Sequence, residues 1–426
     1  MNSFIPKSWT LTSIGEITNS ESLFKDGDWV ESKDQDPSGN NRLIQLADVG
    51  DGRFINKSSR FMNDEQFTRL KCTELKKGDV LVARMPEPLG RACIYPLNNT
   101  KAATIVDIAI IRTKNADHYW LMSAINSSDF RYHIDLNASG TTRTRIARSA
   151  LSKLKLIAPP LPEQQKIAKI LTSVDEVIEK TQAQIDKLKD LKTGMMQELL
   201  TNGIGNNGKP HTKFKDSPVG KIPAEWEVGG IYDYCSEVFL GLTAKVDYTE
   251  SEGIFLVRAT DISKGILSFD KARKITLEQH QSLTKKRQAK RGDVLISKSG
   301  SLGVCAIVET DIEFSIYESI IVLQPKCGII DSKYLLWLMR TTDTQTRLLG
   351  STVGSTVGHL NLGDFRKLKI PIPTISEQIK LGEMVDSLNE RHTTIENKLQ
   401  KYRSIKKALM QDLLTGKVRV NVELTA

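Results

Sequence analysis

Two long segments of the chain carry apolar residues at alternating spacings of four and three. In the first segment these residues are Ile167, Leu171, Val174, Ile178, Ile185, Leu188, Met195 and Leu199. In the second they are Leu381, Val385, Leu388, Ile395, Leu399, Tyr402, Leu409 and Leu413. No proline occurs between residues 163 and 202 or between residues 374 and 415. Sustained heptads favour a coiled coil over a buried globular helix, which would need a wider apolar face.

Four polar residues interrupt the apolar seam, namely Thr181, Lys192, His392 and Lys406. The two lysines occupy matching positions, and their long side chains can extend from the seam to water. We interpret Thr181 and His392 as register-setting or tolerated polar residues, because a lone histidine does not indicate a metal site.

Prolines precede both segments and predict an extended approach, since the residue before a proline avoids the helical region. They lie at positions 159, 160 and 162, and at 371 and 373. Pro162 and Ser376 suit a helix start, and Glu163 and Glu377 are favourable in a first turn.

The two helical segments belong to a duplication with a constant offset of 214 residues, from Leu154 to Leu368 for example. The run Met196-Gln197-Glu198-Leu199-Leu200-Thr201 recurs as Met410-Gln411-Asp412-Leu413-Leu414-Thr415. Each copy opens with an Ile-Pro-x-x-Trp motif, at residues 5–9 and 222–226. Two copies of one long period indicate a pseudo-two-fold protein rather than a solenoid.

Between its opening motif and its helix, each copy has short β-rich runs and Gly/Asp turns. Lys77-Gly78-Asp79-Val80 and Arg291-Gly292-Asp293-Val294 each predict a turn followed by a buried strand. Short helices alternate with such strands, so we expect two α/β (α+β) lobes in a pseudo-two-fold arrangement. The predicted segments are lobe 1 at 1–160, helix 1 at 161–201, a linker at 202–221, lobe 2 at 222–374, helix 2 at 375–415 and a tail at 416–426.

The linker contains Gly203-Ile204-Gly205-Asn206-Asn207-Gly208-Lys209-Pro210, which is close to a phosphate-binding loop. Pro210 replaces the Ser or Thr that would hold magnesium, and no buried strand precedes the segment. We therefore interpret it as an exposed linker.

The net charge of +9 and the pI near 9.1 favour a polyanionic partner, although a basic solvated surface explains them equally well. Acids and bases nearly balance in the two helical segments, so the surplus lies in the lobes and linker. The five cysteines are scattered and never spaced as CxxC, which argues against a disulfide framework and a structural zinc site. Neither a signal peptide nor a membrane span is evident, so we expect a cytoplasmic chain with no membrane partner.

Catalytic motifs are missing from the sequence. No Gly-rich loop follows a strand as a nucleotide or methyl-donor fold requires, and neither HExxH nor GxSxG occurs. Ala158-Pro159-Pro160-Leu161 is not the Asn/Asp-Pro-Pro-aromatic motif of amino-methyltransferases. These observations favour a binding protein without a catalytic, metal or cofactor site of its own.

Two loops in each lobe have the composition of a DNA contact. The first is at 84–91 and 298–303, and the second is at 140–145 and 354–359. Hydroxyls, amides beside glycine, and Arg or Lys bind phosphates and guanine edges, although ordinary solvated turns share this composition. The candidate DNA-binding residues are Arg84, Arg91, Thr141, Thr142, Arg143, Arg145, Arg258, Lys285, Lys286, Arg287, Lys298, Ser299, Ser301, Ser355, Thr356 and His359. Because the two lobes share frame residues but not loop side chains, they would recognise two different sequences.

Several motifs occur together and in order along the whole chain. They are Pro-Leu-Pro-Glu-Gln-Gln-Lys-Ile-Ala at 160–168, Ile-Pro-Thr-Ile-Ser-Glu-Gln at 372–378, the helix ends at 199–201 and 413–417, and a Gly-Asp-Val-Leu strand in each lobe. With these motifs the chain resembles the specificity (S) subunits of type I restriction–modification systems. Leu161-Pro162 and Thr374 depart slightly from the family pattern.

The resemblance implies that each lobe recognises one half of a bipartite site in double-stranded DNA. It also implies an antiparallel two-helix coiled coil that sets the spacer and docks two methyltransferase subunits, with restriction/translocase subunits joining for cleavage. S-adenosylmethionine, ATP and Mg²⁺ would then belong to those partner subunits. A rod of about forty residues is on the order of 60 Å long, which suits two major-groove segments roughly 34 Å apart. The alternatives are a coiled-coil scaffold and a DNA-modifying enzyme with an unrecognised site.

Overall fold

A computed structural model describes residues 5–18, 22–97, 100–140, 144–205, 208–241, 245–250, 252–350 and 360–421. The chain forms two compact units. Unit 1 consists of Met1–Gln182 with Asn397–Ala426, and unit 2 consists of Ala183–Glu396. Each unit therefore contains one copy of the duplicated lobe and parts of both long helical segments.

The elements that begin in unit 1 alternate between short strands and short helices before one long helix. The strands are β1 Thr10–Ser13, β2 Leu23–Asp26, β3 Asn41–Ile44, β4 Phe61–Met62, β5 Val80–Ala83, β6 Ala92–Ile94, β7 Ala102–Thr104, β8 Ile108–Arg112 and β9 Lys155–Ala158. The helices are α1 Ile14–Ile17, α2 Asp64–Arg69, α3 His118–Ile125, α4 Ser128–Leu136, α5 Arg148–Lys153 and α6 Leu161–Asn202.

Unit 2 repeats this order after an additional hairpin. Its strands are β10 Phe214–Ser217, β11 Gly220–Pro223, β12 Glu227–Gly230, β13 Cys235–Leu240, β14 Tyr248–Thr249, β15 Ile254–Val257, β16 Arg273–Ile275, β17 Val294–Ser297, β18 Cys305–Ile307, β19 Phe314–Ile316, β20 Ile320–Pro325 and β21 Lys369–Ile372. The helices are α7 Ile231–Tyr234, α8 Leu277–Thr284, α9 Ser332–Met339, α10 Thr342–Leu349, α11 Leu362–Lys367 and α12 Ile375–Leu414.

Each lobe is built around a four-stranded antiparallel sheet. Its strand order is β2-β8-β5-β6 in unit 1 and β13-β20-β17-β18 in unit 2. The strand after the Gly-Asp turn is central and buried along its length in both units, because its Val, Leu, Ile and Ala side chains cover both faces of the sheet. A second sheet with one parallel pair, β3–β7 or β15–β19, packs beside it.

The predicted heptad positions form the buried faces of α6 and α12. In unit 1, Ile167 and Leu171 share a core with Leu413, and in unit 2, Leu199 shares a core with Leu381. Within unit 1, Lys406 Nζ lies 2.7 Å from Asp175 Oδ1 and Arg403 Nη2 lies 3.2 Å from Gln182 Oε1.

The two helices are therefore antiparallel within unit 1, because residues near the start of α6 contact residues near the end of α12. Within unit 2 the hydrogen bond from Lys192 to Asn389, together with the Leu199–Leu381 core, gives the same antiparallel order. These contacts confirm the coiled-coil packing of the two helices.

The Glu-Gln pair at the start of each long helix attaches the lobe to that helix. In unit 1 the Trp9 indole N–H donates to Glu163 Oε2 at 2.9 Å, and Gln164 Oε1 accepts from the Asp117 N–H at 2.9 Å. In unit 2 the Trp226 indole N–H donates to Glu377 Oε2 at 3.1 Å. The Ile-Pro-x-x-Trp and Glu-Gln motifs are thus two halves of one buried contact.

Residues 202–221, which the sequence predicts to be an exposed linker, are partly structured. Strands β10 and β11 form a hairpin, and Ile204 is buried. The N–H groups of Ile204 and Gly205 donate to Glu377 Oε1 at 3.0 and 3.3 Å, and His211 Nε2 lies 3.0 Å from the same oxygen. A buried carboxylate needs several donors, and this segment supplies them.

Within the described residues, no helix is long and apolar enough to cross a membrane.

Candidate nucleic-acid interface

The first candidate loop of the first lobe begins at one end of the four-stranded sheet, where it meets the residues that follow the second candidate loop. Arg84 follows β5, and its N–H donates to the Asp107 carbonyl at 2.9 Å. The Ile146 N–H, just beyond the second candidate loop, donates to the Arg84 carbonyl at 3.1 Å. We call residues 84–91, 105–107 and 145–148 the loop end of unit 1.

Unit 2 has the same arrangement at the equivalent positions. The Lys298 N–H donates to the Ser319 carbonyl at 2.8 Å, and the Leu360 N–H donates to the Lys298 carbonyl at 3.2 Å. Ser319 Oγ also accepts from the Ala259 N–H at 3.0 Å, which brings Arg258 to this end. The loop end of unit 2 comprises residues 258–259, 298–303, 317–319 and 360–362. One backbone frame therefore presents different side chains in the two lobes.

Arg84 and Arg91 are buried and bind the protein's own backbone. Arg84 donates to the carbonyls of Ile146 at 3.1 Å and Val106 at 2.7 Å, and its Nε lies 3.2 Å from Asp26 Oδ1. Only 1% of Arg84 is exposed.

Arg91 is 7% exposed and donates to four carbonyls, those of Val49, Leu46, Met85 and Pro88. A guanidinium with its donors committed inside the lobe is not available to DNA, so burial argues against the predicted direct contact for both arginines. They hold the loop instead.

Other candidates of unit 1 lie on the surface or outside the described residues. Arg145 is exposed, and its backbone forms a two-way bridge with Ser139 at 2.9 Å in each direction. Thr141, Thr142 and Arg143 lie outside the described residues.

In unit 2, Lys298 and Ser299 are half-buried and Ser301 is exposed. Arg258 is half-buried, with its Nε 3.7 Å from Asp261 Oδ2. These four residues share the loop end of unit 2. The remaining candidates of that lobe, Ser355, Thr356 and His359, lie outside the described residues.

The basic run Lys285, Lys286 and Arg287 does not join the loop end. All three are exposed, and Arg287 Nε lies 3.2 Å from Glu237 Oε2. Glu237 pairs with Gln324 near the end of β20 that is remote from Ile320. Since the loop end follows Ser297, opposite Ile320, this run lies toward the other end of the sheet.

Arg148, at the loop end of unit 1, and Asp26, which contacts it, are absent from the sequence-based candidates. Asp26 ends β2, and its Oδ2 lies 3.6 Å from Arg148 Nε, at the first residue of α5. The spacing Arg145-x-x-Arg148 just after a candidate loop is a signal that could have identified Arg148. Asp26 has no comparable signal, because it reaches this end only through sheet pairing with β8.

Burial lowers the pKa of the Arg84 guanidinium, while Asp26 opposes that shift. The positive charges of Arg145 and Arg148 lower the pKa further, and Asp107 raises it. These five side chains comprise three positive and two negative charges, so positive charge is in excess among them, which suits an anionic ligand. Within the described residues, no group of three or more His, Cys, Asp or Glu side chains is placed to hold a metal ion.

Comparison with known proteins gives consistent matches. Residues 6–190 and 223–405 match the family described as type I restriction modification DNA specificity domain. The MjaVIII specificity subunit of a type I restriction enzyme from Methanocaldococcus jannaschii is 25% identical over 288 residues, 66% of this chain and 66% of the relative. The putative MjaX specificity subunit from the same organism is 23% identical over 432 residues, 98% of this chain and 95% of the relative. The S subunit of a type I restriction–modification system from M. genitalium has a solved structure with a TM-score of 0.59 at 16% identity, covering 99% of this chain and 98% of that one.

The structural likeness shows a shared fold, and the two family matches together span most of the sequence. The two matched ranges coincide with the two duplicated lobes and extend into α6 and α12, where the Glu-Gln motifs lie. The resemblance drawn from the motifs is thereby confirmed: this chain belongs to the type I restriction–modification DNA specificity domain family.

Proposed function

We propose that this chain is the DNA-recognition subunit of a type I restriction–modification complex. Each lobe recognises one half of a bipartite site in double-stranded DNA. The long helices set the spacer between the half-sites and dock two methyltransferase subunits, and restriction/translocase subunits join for cleavage. The chain itself is non-catalytic and carries no cofactor, while S-adenosylmethionine, ATP and Mg²⁺ are bound by the partner subunits. We place the complex in the cytoplasm, a location supported by five free thiols.

The observation that carries this proposal is that the loop ends of the two lobes share the same backbone hydrogen bonds but present different side chains. Arg84 and Lys298 make the same two backbone hydrogen bonds at the same sheet position. Their neighbours differ, since Arg145 and Arg148 of the first lobe correspond to His359 and Leu362 of the second. A duplicated enzyme site would repeat its reactive groups, whereas two recognition surfaces for different sequences need a common frame with divergent side chains.

The decisive experiment is co-expression of this chain with its cognate methyltransferase subunit, followed by mapping of modified adenines at base resolution. We expect one bipartite sequence with a constant spacer. Modification scattered without a common sequence, or a single undivided site, would contradict the proposal.

A second measurement separates a recognition subunit from a free-standing enzyme. The purified chain alone, incubated with DNA, S-adenosylmethionine and Mg²⁺, should neither methylate nor cut. It should still bind DNA with an affinity that falls as salt rises. Salt-independent binding, or no binding by the complex, would favour a scaffold.

A further inference from the structure

Arg148 has a guanidinium that is held from one side only. Its Nη1 donates to the Phe24 carbonyl at 2.9 Å, and its Nε lies 3.6 Å from Asp26 Oδ2. The Arg148 side chain is 47% exposed. Among the residues that the structure describes, Nη2 has no hydrogen-bond partner. The contacts with β2 thus orient the group and leave both N–H bonds of Nη2 and the second N–H of Nη1 for a ligand.

The surroundings of Arg148 carry more positive than negative charge. Asp26 lies 3.2 Å from Arg84 and 3.6 Å from Arg148, and Arg145 and Asp107 also act on Arg84. Three positive and two negative side chains leave one positive charge uncompensated in this set, which favours an anion. Leu362 takes the position of Arg148 in the second lobe, so the second lobe lacks this arginine.

The two kinds of DNA contact make different demands on this guanidinium. Bidentate recognition of guanine needs two neighbouring nitrogens aligned in the plane of the base, either Nη1 with Nη2 or Nη2 with Nε. Here Nε faces Asp26 and one N–H of Nη1 is bonded to the Phe24 carbonyl, so contacts within the lobe already fix the plane of the group. A phosphate oxygen sets no such requirement on the plane and needs only the N–H groups of Nη2.

We propose that Arg148, positioned by Asp26, contacts a backbone phosphate of the half-site that the first lobe recognises. This inference rests on the proposed function. Arg148 thereby fixes the placement of the first lobe on DNA without selecting a base, and Asp26 is a positioning residue that acts through it.

The test compares Arg148→Ala, Arg148→Lys and Asp26→Asn in the full complex with its methyltransferase subunits, using fluorescence anisotropy of labelled DNA over a range of salt. Arg148→Ala should weaken binding about tenfold near 0.1 M salt, with the slope of log affinity against log salt reduced by about 0.9. The loss should be equal for cognate DNA and for DNA with single substitutions in the first half-site. Lysine should restore most of the affinity, since it binds phosphate as a point charge.

Asp26→Asn provides the sharper test, because it adds one net positive charge. If Asp26 acted only through its charge, this variant would bind DNA more tightly. We expect weaker binding, since Arg148 loses its orientation. Lys155→Ala is the matched control: Lys155 is ion-paired with Glu16 at 3.0 Å beyond the other end of α5, and its loss removes the same charge. Thermal unfolding of each variant shows whether the lobe is intact.

Unchanged affinity of Arg148→Ala, with normal salt-dependent binding by the native complex, would overturn this inference and leave the proposed function standing. Relaxed preference at one base pair would overturn the phosphate assignment in favour of base recognition. A loss with Lys155→Ala equal to that with Arg148→Ala would reduce the effect to net charge and overturn the specific contact. Failure of the native complex to bind DNA would contradict the proposed function itself.

Discussion

Glu163 and Glu377 occupy equivalent positions, but their surroundings differ. Glu163 accepts from the Trp9 indole and from the Arg419 guanidinium, and the Arg419 side chain is 42% exposed. Glu377 accepts from the Trp226 indole and also from buried main-chain N–H groups of the segment after α6. A side chain at the surface can turn to water when its partner is lost, whereas a buried backbone N–H cannot.

This difference predicts unequal costs for the same substitution. Glu163→Ala should lower the free energy of unfolding by about 1–3 kcal/mol, mainly through the unpaired Trp9 indole. Glu377→Ala should lower it by about 3–5 kcal/mol, since several buried donors lose their acceptor. Denaturant unfolding of both variants measures the costs. In the double variant Trp226→Phe/Glu377→Ala, the loss of unfolding free energy should be smaller than the sum of the losses for its two single substitutions. Equal losses for Glu163→Ala and Glu377→Ala would contradict this account.

Arginines of the loop end divide into those that hold the loop and those exposed to ligand. Arg91→Gln should lower the free energy of unfolding by about 2–4 kcal/mol, because four carbonyls lose a buried charged donor. Arg145→Gln should change it by no more than about 0.5 kcal/mol and should instead weaken DNA binding about tenfold.

Both substitutions remove one positive charge, so each serves as the control for the other. Thermal unfolding and DNA binding measured in parallel separate the two roles. A stability loss for Arg145→Gln comparable to that of Arg91→Gln would show that the exposed arginine is also structural.

Between the paired helices α6 and α12, each unit has one lysine contact at equivalent positions, but its partner is an aspartate in unit 1 and an asparagine in unit 2. Lys406 is paired with Asp175 in unit 1, whereas Lys192 donates to Asn389 Oδ1 at 2.6 Å in unit 2. Asp175 and Asn389 are equivalent in the duplication, as are the two lysines. Burial lowers the pKa of Lys192, and the charge of Arg340 lowers it further, while Glu396 opposes this.

Asn389→Asp should therefore stabilise unit 2 by about 1 kcal/mol, because it supplies the missing counter-ion. Lys192 itself destabilises the native chain below its lowered pKa, and this cost disappears as pH rises toward the ordinary lysine pKa, because in that window the unfolded lysine binds more protons than the folded one. Buried cysteines and Tyr334 have raised pKa values and act in the opposite direction in both proteins, so the contribution of Lys192 is the difference between variant and native chain. The stabilisation by Asn389→Asp should shrink as pH rises through this window. Calorimetric unfolding at several alkaline pH values tests both, with Asp175→Asn in unit 1 as the reciprocal control, which should be destabilised.

At the scale of the whole molecule, the proposed function makes spacer length a property of helix length. Adding one heptad to both α6 and α12 keeps the apolar seam in register and lengthens each helix by about 10 Å. DNA rises about 3.4 Å per base pair, so the spacer of the recognised site should grow by roughly three base pairs. Mapping of modified adenines gives the new spacer directly.

The control for that experiment is a heptad added to α6 alone. The apolar positions of α6 and α12 then no longer face one another along their whole length, so folding should be impaired. An unchanged spacer in the folded double-insertion variant would rule out the helices as the determinant of spacing.

The chain order and the periodicity of this protein could be derived from its sequence. The duplication appears in direct comparison of the two halves, and each long helix follows from a 4-3 spacing that is local. The lobe sheets were predicted only as buried strands after Gly-Asp turns, because strand order depends on pairing between distant segments. The packing of Ile204 and Gly205 was missed because a Gly/Asn-rich composition carries no sign of the buried carboxylate that orders it.

The two lobes, the two helices and the family thus follow from residue order alone, since repeats and heptads are properties of that order. Which charged residues face inward and which face outward depends on how the chain folds. Arg91 and Arg145 are equally basic in sequence, but Arg91 finds carbonyls 42 and 45 residues away, at Val49 and Leu46, that replace its water. Arg145 has no such acceptors among the described residues and remains at the surface. Burial of a charge depends on partners that folding brings from elsewhere in the chain, and residue type does not specify them.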